Sequence, residues 1–167
     1  EDAKPAYSRK NPFPSLLLCS RNLNAPGSEK QVHHVEFSLE GSGLAYEAGD
    51  ALGVLPQNCP ALVHNVLVAL GCDGEEAVSA PDGSATSLRR ALTELCDLGK
   101  PSAELLQLCR PNGAGGTAVA LHQVIDVVLA RPEAKLTPAS LVGALRRLQP
   151  RLYSISSSPR AHPGQVH

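Results

Sequence analysis

Along residues 31–40, QVHHVEFSLE, apolar Val35, Phe37 and Leu39 alternate with polar neighbours. A two-residue period puts all three on one face, so the stretch predicts a half-buried β-strand, closed by the GSG of 41–43. Before it, PSLLLCSRNLN (14–24) is an apolar run that turns polar and reads as a strand, and APGSEK (25–30) has turn chemistry. After it, Gly49 and Asp50 make a turn into a strand over 52–55, which Pro56 stops. The first third is expected to be an antiparallel β unit behind a polar arm at 1–10.

The period changes at residue 59. In CPALVHNVLVALG, Pro60 suits the first helical position, Leu62, Val63, Val66, Leu67 and Leu70 recur at helical spacing, and Gly71 stops the helix. A second helix is predicted over 86–99, with Ser87 as N-cap and Leu88, Ala91, Leu92 and Leu95 on one side. Ser102 caps a short helix over 101–109, and NGAGG (112–116) breaks the pattern. Residues 120–130 fit a buried helix or a strand, with helix favoured, and Thr137 and Pro138 open a helix over 136–148. RLYSISS (151–157) returns to strand chemistry, SPRAHPG (158–164) is a turn, and QVH begins another strand. The order β, helices, β predicts an α+β chain: a β portion made of 1–58 and 149–167, with a helical insert over 59–148. Ending in mid-pattern, the chain is expected to be a fragment of a longer protein.

Composition narrows the function classes. The 167 residues suffice for one domain or two small ones, and a net charge of -1 points away from nucleic acid and anionic membranes. Aromatic residues make up 3% and there is no Trp or Met, so the core must be Leu, Val and Ala. Five cysteines, an odd number without CxxC spacing, predict buried free thiols in a reducing compartment, the cytoplasm. No stretch approaches the roughly 20 apolar residues of a membrane span.

The densest chemistry lies in RLYSISSSP (151–159). On a strand, Arg151, Tyr153 and Ile155 share one face, and Leu152, Ser154 and Ser156 the other. A guanidinium fork suits phosphate oxygens, a phenol ring offers a stacking face, and small serines let backbone N–H groups approach a ligand. That suits a nucleotide cofactor; the same pattern also fits a surface arginine beside a half-buried tyrosine. Adjacent His33 and His34 face opposite sides of a strand, so no metal site is expected. His64 reads as a helix-surface residue, Asp50 as a turn former, and Asp126 as a local cap or pair. No phosphate-loop or GxSxG pattern is present.

RLYSISSSP resembles the arginine–x–tyrosine–serine motif in the FAD domain of ferredoxin–NADP reductase-like enzymes. RKNPFPSLLLCSRNLN, YEAGDALGVLPQNCPALV, LQPRLYSISSSP and HPGQVH are similar, in order, to segments of NADPH-dependent diflavin reductases, and SLRRALTELCDLGKPSAELL resembles their helical connecting domain. GDALGV, with Ala51 after the aspartate, and GSEKQVHHVEF lean toward the sulfite reductase flavoprotein subgroup. The resemblance implies part of an antiparallel FAD-binding β-barrel with an inserted all-helical connecting domain. It implies hydride transfer from NADPH to FAD, then electron transfer through FMN to an acceptor haemoprotein. The FMN and NADPH domains are expected outside this chain, so the fragment alone is expected to be inactive. By resemblance, Arg151 pairs with the FAD pyrophosphate, Tyr153 lies against the isoalloxazine, Ser154 bonds near the flavin N5 as the catalytic contact, and the Leu152 backbone borders the pocket. Arg21 matches a position that contacts NADPH phosphates; an exposed arginine at a strand end is the other reading. Residues 109–120 look shortened relative to the connecting domain. Two further readings stand: a non-catalytic scaffold that sets FMN–FAD geometry, and a diflavin reductase serving a haem monooxygenase or a nitrate reductase.

Overall fold

The structure, a computed structural model, describes residues 7–9, 11–110 and 121–167. The expected break at 112–116 and most of the polar arm lie outside them. In chain order the strands are β1 (Leu17–Asn22), β2 (His33–Ser38), β3 (Ala51–Val54), β4 (Ala77–Ser79), β5 (Ala85–Ser87), β6 (Arg151–Ser154) and β7 (Gln165–Val166). The helices are α1 (Pro60–Leu70), α2 (Leu88–Arg90), α3 (Ala103–Leu108), α4 (Val124–Ala130) and α5 (Pro138–Ala144). The chain falls into two compact units: Glu1–Leu55 with Pro150–His167, and Pro56–Gln149.

The first unit is antiparallel β. β2 lies between β1 and β7, and β3 pairs with β6 in a separate two-stranded sheet. Leu17 pairs with Phe37 and Asn22 with His33, with a bulge between Leu17 and Cys19. Phe37 pairs with Val166. A barrel needs one continuous ring of hydrogen-bonded strands; none closes among the described residues. β2 also departs from strict alternation. His34 and Glu36 are half-buried along with Val35 and Phe37, with the ring of His167 packed against that of His34. Among the described residues of this unit, Val166 alone is a buried apolar side chain, while Leu16, Leu17, Leu18, Leu23, Val32 and Leu55 are exposed.

The second unit holds a continuous Leu and Val core. Pro60 starts α1 where no N–H is needed, and Gly71 ends it at φ 69°, a left-handed conformation that a β-carbon would strain. Val63, Val66 and Leu67, at helical spacing, are buried, and α1 packs on α4. Ser102 is buried between two elements: its Oγ accepts the Leu105 N–H at 2.9 Å and its O–H donates to the Ala144 carbonyl at 2.5 Å, joining α3 to the end of α5. The Asp126 carboxylate accepts the N–H groups of His122 and Gln123 at 3.0 and 2.8 Å, which caps α4. Residues 124–130 are helical, as favoured.

Three expectations for this unit are corrected. The insert is not all-helical, because β4 and β5 form a hairpin. Its turn is held by Asp82, whose carboxylate accepts the Ser84 N–H and O–H, and by Gly83 at φ 84°. The helix predicted over 86–99 has only one α-turn, α2, before a π-helical stretch over Ala91–Leu95. Asn58 answers the altered carbonyl positions: its Nδ2 donates to the Leu92 and Cys96 carbonyls at 2.7 and 2.6 Å. The helix predicted over 136–148 ends at Ala144, because the chain beyond it pairs with the end of the π-helical stretch: the N–H groups of Asp97 and Leu148 donate to Arg146 and Leu95, both at 2.8 Å.

The thiols are all free, but only Cys96 and Cys109 are buried; Cys59 is exposed. Burial pushes the Cys96 thiol up to about 11 and raises Cys109 as well. Native protein is therefore expected to take up iodoacetamide first at Cys59, and at Cys96 only after denaturation, as read by peptide mass spectrometry. The variant Ser102→Ala is expected to lose about 1–3 kcal/mol in urea unfolding, because it orphans a buried N–H and a carbonyl.

Candidate functional site

β6 sits in register with β3: Ser154 against Ala51, Tyr153 against Leu52, Leu152 against Gly53 and Arg151 against Val54. Directly opposed residues share a face. One face therefore carries Arg151 and Tyr153 above half-buried Leu52 and Val54. The other carries Leu152 and Ser154 beside two small residues, Ala51 and Gly53. A β-carbon at Gly53 would lie 3.6 Å from Leu152 Cδ2, an ordinary contact. All four residues of β6 are exposed; Leu152 is 76% and Tyr153 55% accessible.

The end of β6 is fixed from two sides. The Ile155 N–H donates to the Asp50 carbonyl at 3.2 Å, and the Asp50 carboxylate accepts the Glu47 N–H at 2.8 Å, closing the turn that precedes β3. Ser157 Oγ lies 2.6 Å from the Tyr46 hydroxyl and accepts the His167 N–H at 2.9 Å. Asp50 is thus the turn former expected of it.

Of the residues singled out in the sequence, Arg151, Leu152, Tyr153 and Ser154 stand together on this strand. Arg21 does not join them: it is exposed on β1, paired with His34 in the three-stranded sheet. Two shallow surface depressions lie on the second unit, one lined by Glu104, Leu108 and Ser140 among others and one by Leu106, Gln107 and Arg110; neither includes a residue of β6.

One grouping was not foreseen. His33 is exposed and His34 half-buried, as opposite faces require, but His34 Nε2 meets Glu36 Oε1 at 2.9 Å. The ring of His167 stands edge-on to His34 at 5.1 Å and tilted over His162 at 4.3 Å. Burial, then the neighbouring His162, hold His167 below the ordinary histidine range. The i, i+2 spacing of His34 and Glu36 was legible as a shared face; the arrival of His167 depends on the β2–β7 pairing.

The chain belongs to the family described as the FAD binding domain, whose model matches residues 5–111 and 86–167. The similarity read from RLYSISSSP and its companion segments is borne out by the individual relatives. The chain is 40% identical over 179 residues to the sulfite reductase [NADPH] flavoprotein alpha-component of Aliivibrio fischeri, covering 96% of this chain and 28% of that protein. It is 37% identical over 183 residues to the Bacillus subtilis protein of the same name, covering 100% and 30%. The Photobacterium profundum counterpart is 36% identical over 180 residues, covering 100% and 29%. The chain thus spans less than a third of the length of these relatives. The matched spans exceed its 167 residues, so the relatives carry additional residues within them.

The ordinary contact that a β-carbon at Gly53 would make yields a structural expectation. Gly53→Ala is expected to leave the fold intact and to raise stability by up to about 1 kcal/mol in chemical denaturation, because alanine narrows the unfolded ensemble.

Proposed function

We propose that this chain is the FAD-binding portion of an NADPH-dependent diflavin reductase of sulfite reductase type. Residues 1–58 and 149–167 contribute to an antiparallel FAD-binding barrel, and 59–148 form the connecting domain. The observation that carries the reading is the shared, exposed face of Arg151 and Tyr153, on a strand whose register four residue pairs fix. A planar cation beside an aromatic ring suits two parts of a flavin dinucleotide, its central pyrophosphate and its isoalloxazine ring. On the opposite face, the small side chains of Ala51, Gly53 and Ser154 leave room for backbone N–H groups to approach such a molecule.

FAD, when bound, supplies the redox chemistry that joins hydride donation by NADPH to single-electron transfer. The residues of this chain bind and orient. Arg151 neutralises the pyrophosphate, Tyr153 covers the ring system, the Leu152 backbone borders it, and the Ser154 hydroxyl holds a hydrogen bond near N5. Arg21, on a separate sheet, serves the phosphates of NADPH. The FMN and NADPH domains would lie in other parts of the full-length protein, where FMN, when bound, would supply the single-electron chemistry toward the haemoprotein of sulfite reductase. Five free thiols support the cytoplasm as its compartment. No helix of the described residues is long and apolar enough to cross a membrane.

The test uses the full-length protein that carries this chain. Arg151→Ala is expected to weaken FAD binding about ten- to a hundredfold, the effect of losing one charge-assisted bond, with circular dichroism unchanged. Arg21→Ala is expected to raise the KM for NADPH and leave FAD affinity as it was. Unchanged FAD affinity in the Arg151 variant would overturn the assignment of β6.

A further inference from the structure

Outside β6, the first unit gathers three side chains of the kind that ligate transition metals. One ligand atom from each of His34, Glu36 and His167 lies within 4.8 Å of the other two, and all three residues are half-buried. None has a part in the function proposed above. The sheet itself builds the group. The strand period puts His34 and Glu36 on one face of β2. The antiparallel pairing of Phe37 with Val166 and Ser38 with Gln165 then brings His167 alongside Glu36. Backbone contacts pin His167 in place: its N–H donates to Ser157 Oγ at 2.9 Å, and its carbonyl accepts the Ser156 N–H at 2.8 Å. The exposed ring of His162 packs against that of His167 and supplies a third imidazole.

We propose that His34, Glu36 and His167 form a zinc-binding site on this sheet, with His162 as the fourth ligand. Imidazole with one carboxylate suits zinc, whereas magnesium and calcium take all-oxygen shells. Tetrahedral zinc holds its donors about 3.3–3.6 Å apart, given metal–ligand distances of about 2.0–2.2 Å. The 2.9 Å separation of His34 Nε2 and Glu36 Oε1 is near that spacing, and side-chain rotation gathers in the remaining ring. A bound zinc ion clamps β2 to β7 and thereby fixes the turn that follows β6.

The test titrates zinc into the metal-free chain by calorimetry. One equivalent is expected to bind with an affinity on the order of micromolar or tighter. Millimolar magnesium is expected to have no effect. His34→Ala and His167→Ala are each expected to weaken binding at least about tenfold, as lost ligands should. His33→Ala, on the opposite face, leaves it unchanged. Cobalt(II) in place of zinc distinguishes the ligand type. Visible bands without an intense near-ultraviolet thiolate band support the site. Absence of zinc binding, or zinc affinity unchanged in a folded His34→Ala/His167→Ala double variant, overturns it. A strong thiolate band with cobalt does so too, by moving the metal to the cysteines.

Discussion

The β3–β6 ladder is the constraint on which the first unit depends. Four residue pairs join segments separated by the whole of the second unit. Closing a loop of roughly a hundred residues costs about 4 kcal/mol of chain entropy by the logarithmic term alone. A short two-stranded ribbon in water is marginal by itself. It persists because the segment after β6 is held again, by Asp50, by the Tyr46–Ser157 contact and by β7 on β2. The position of every candidate side chain on β6 follows from that register. A slip of one residue would send Arg151 and Tyr153 to the opposite face.

The two units divide burial and chemistry between them. The second unit contains nearly all of the buried apolar side chains, from Val63 to Leu145, and its polar groups cap its own helices. The first unit exposes leucines on β1 and both Leu152 and Tyr153 on β6. The buried core and the exposed residues singled out on β6 thus fall in different units of the chain.

Much of this was legible in the sequence. The caps announced α1, α3 and α5 because Pro60, Ser102, Thr137 and Pro138 act through local backbone geometry. Asp126, read as a local cap or pair, caps α4. The face-sharing of Arg151 and Tyr153 followed from strand periodicity. What was missed depends on partners distant in sequence. The π-helical stretch over Ala91–Leu95 keeps the helical spacing of apolar residues, and only the reach of Asn58 to the Leu92 and Cys96 carbonyls marks it. The early end of α5 reflects competition from the backbone at 95–97. The β4–β5 hairpin did carry a local signal, Asp82-Gly83, which the surrounding helical pattern overshadowed. Arg21 was matched to the NADPH phosphates by resemblance alone, and the strand pairing that puts it in the three-stranded sheet, apart from β6, had no local signal.

The pairing of Val54 with Arg151 has a consequence for how such proteins diverge. Directly opposed strand residues lie about 4.5–5.5 Å apart, so the chain departs into the second unit and returns from it at nearly the same point. Whatever lies between can grow or shrink without moving those anchor points, since each doubling of loop length adds only about 0.6 kcal/mol. The relatives carry additional residues within the matched span. A segment whose flanking residues are paired on neighbouring strands is a place where lineages can vary their length while the strand that carries the arginine and the phenol keeps its neighbours.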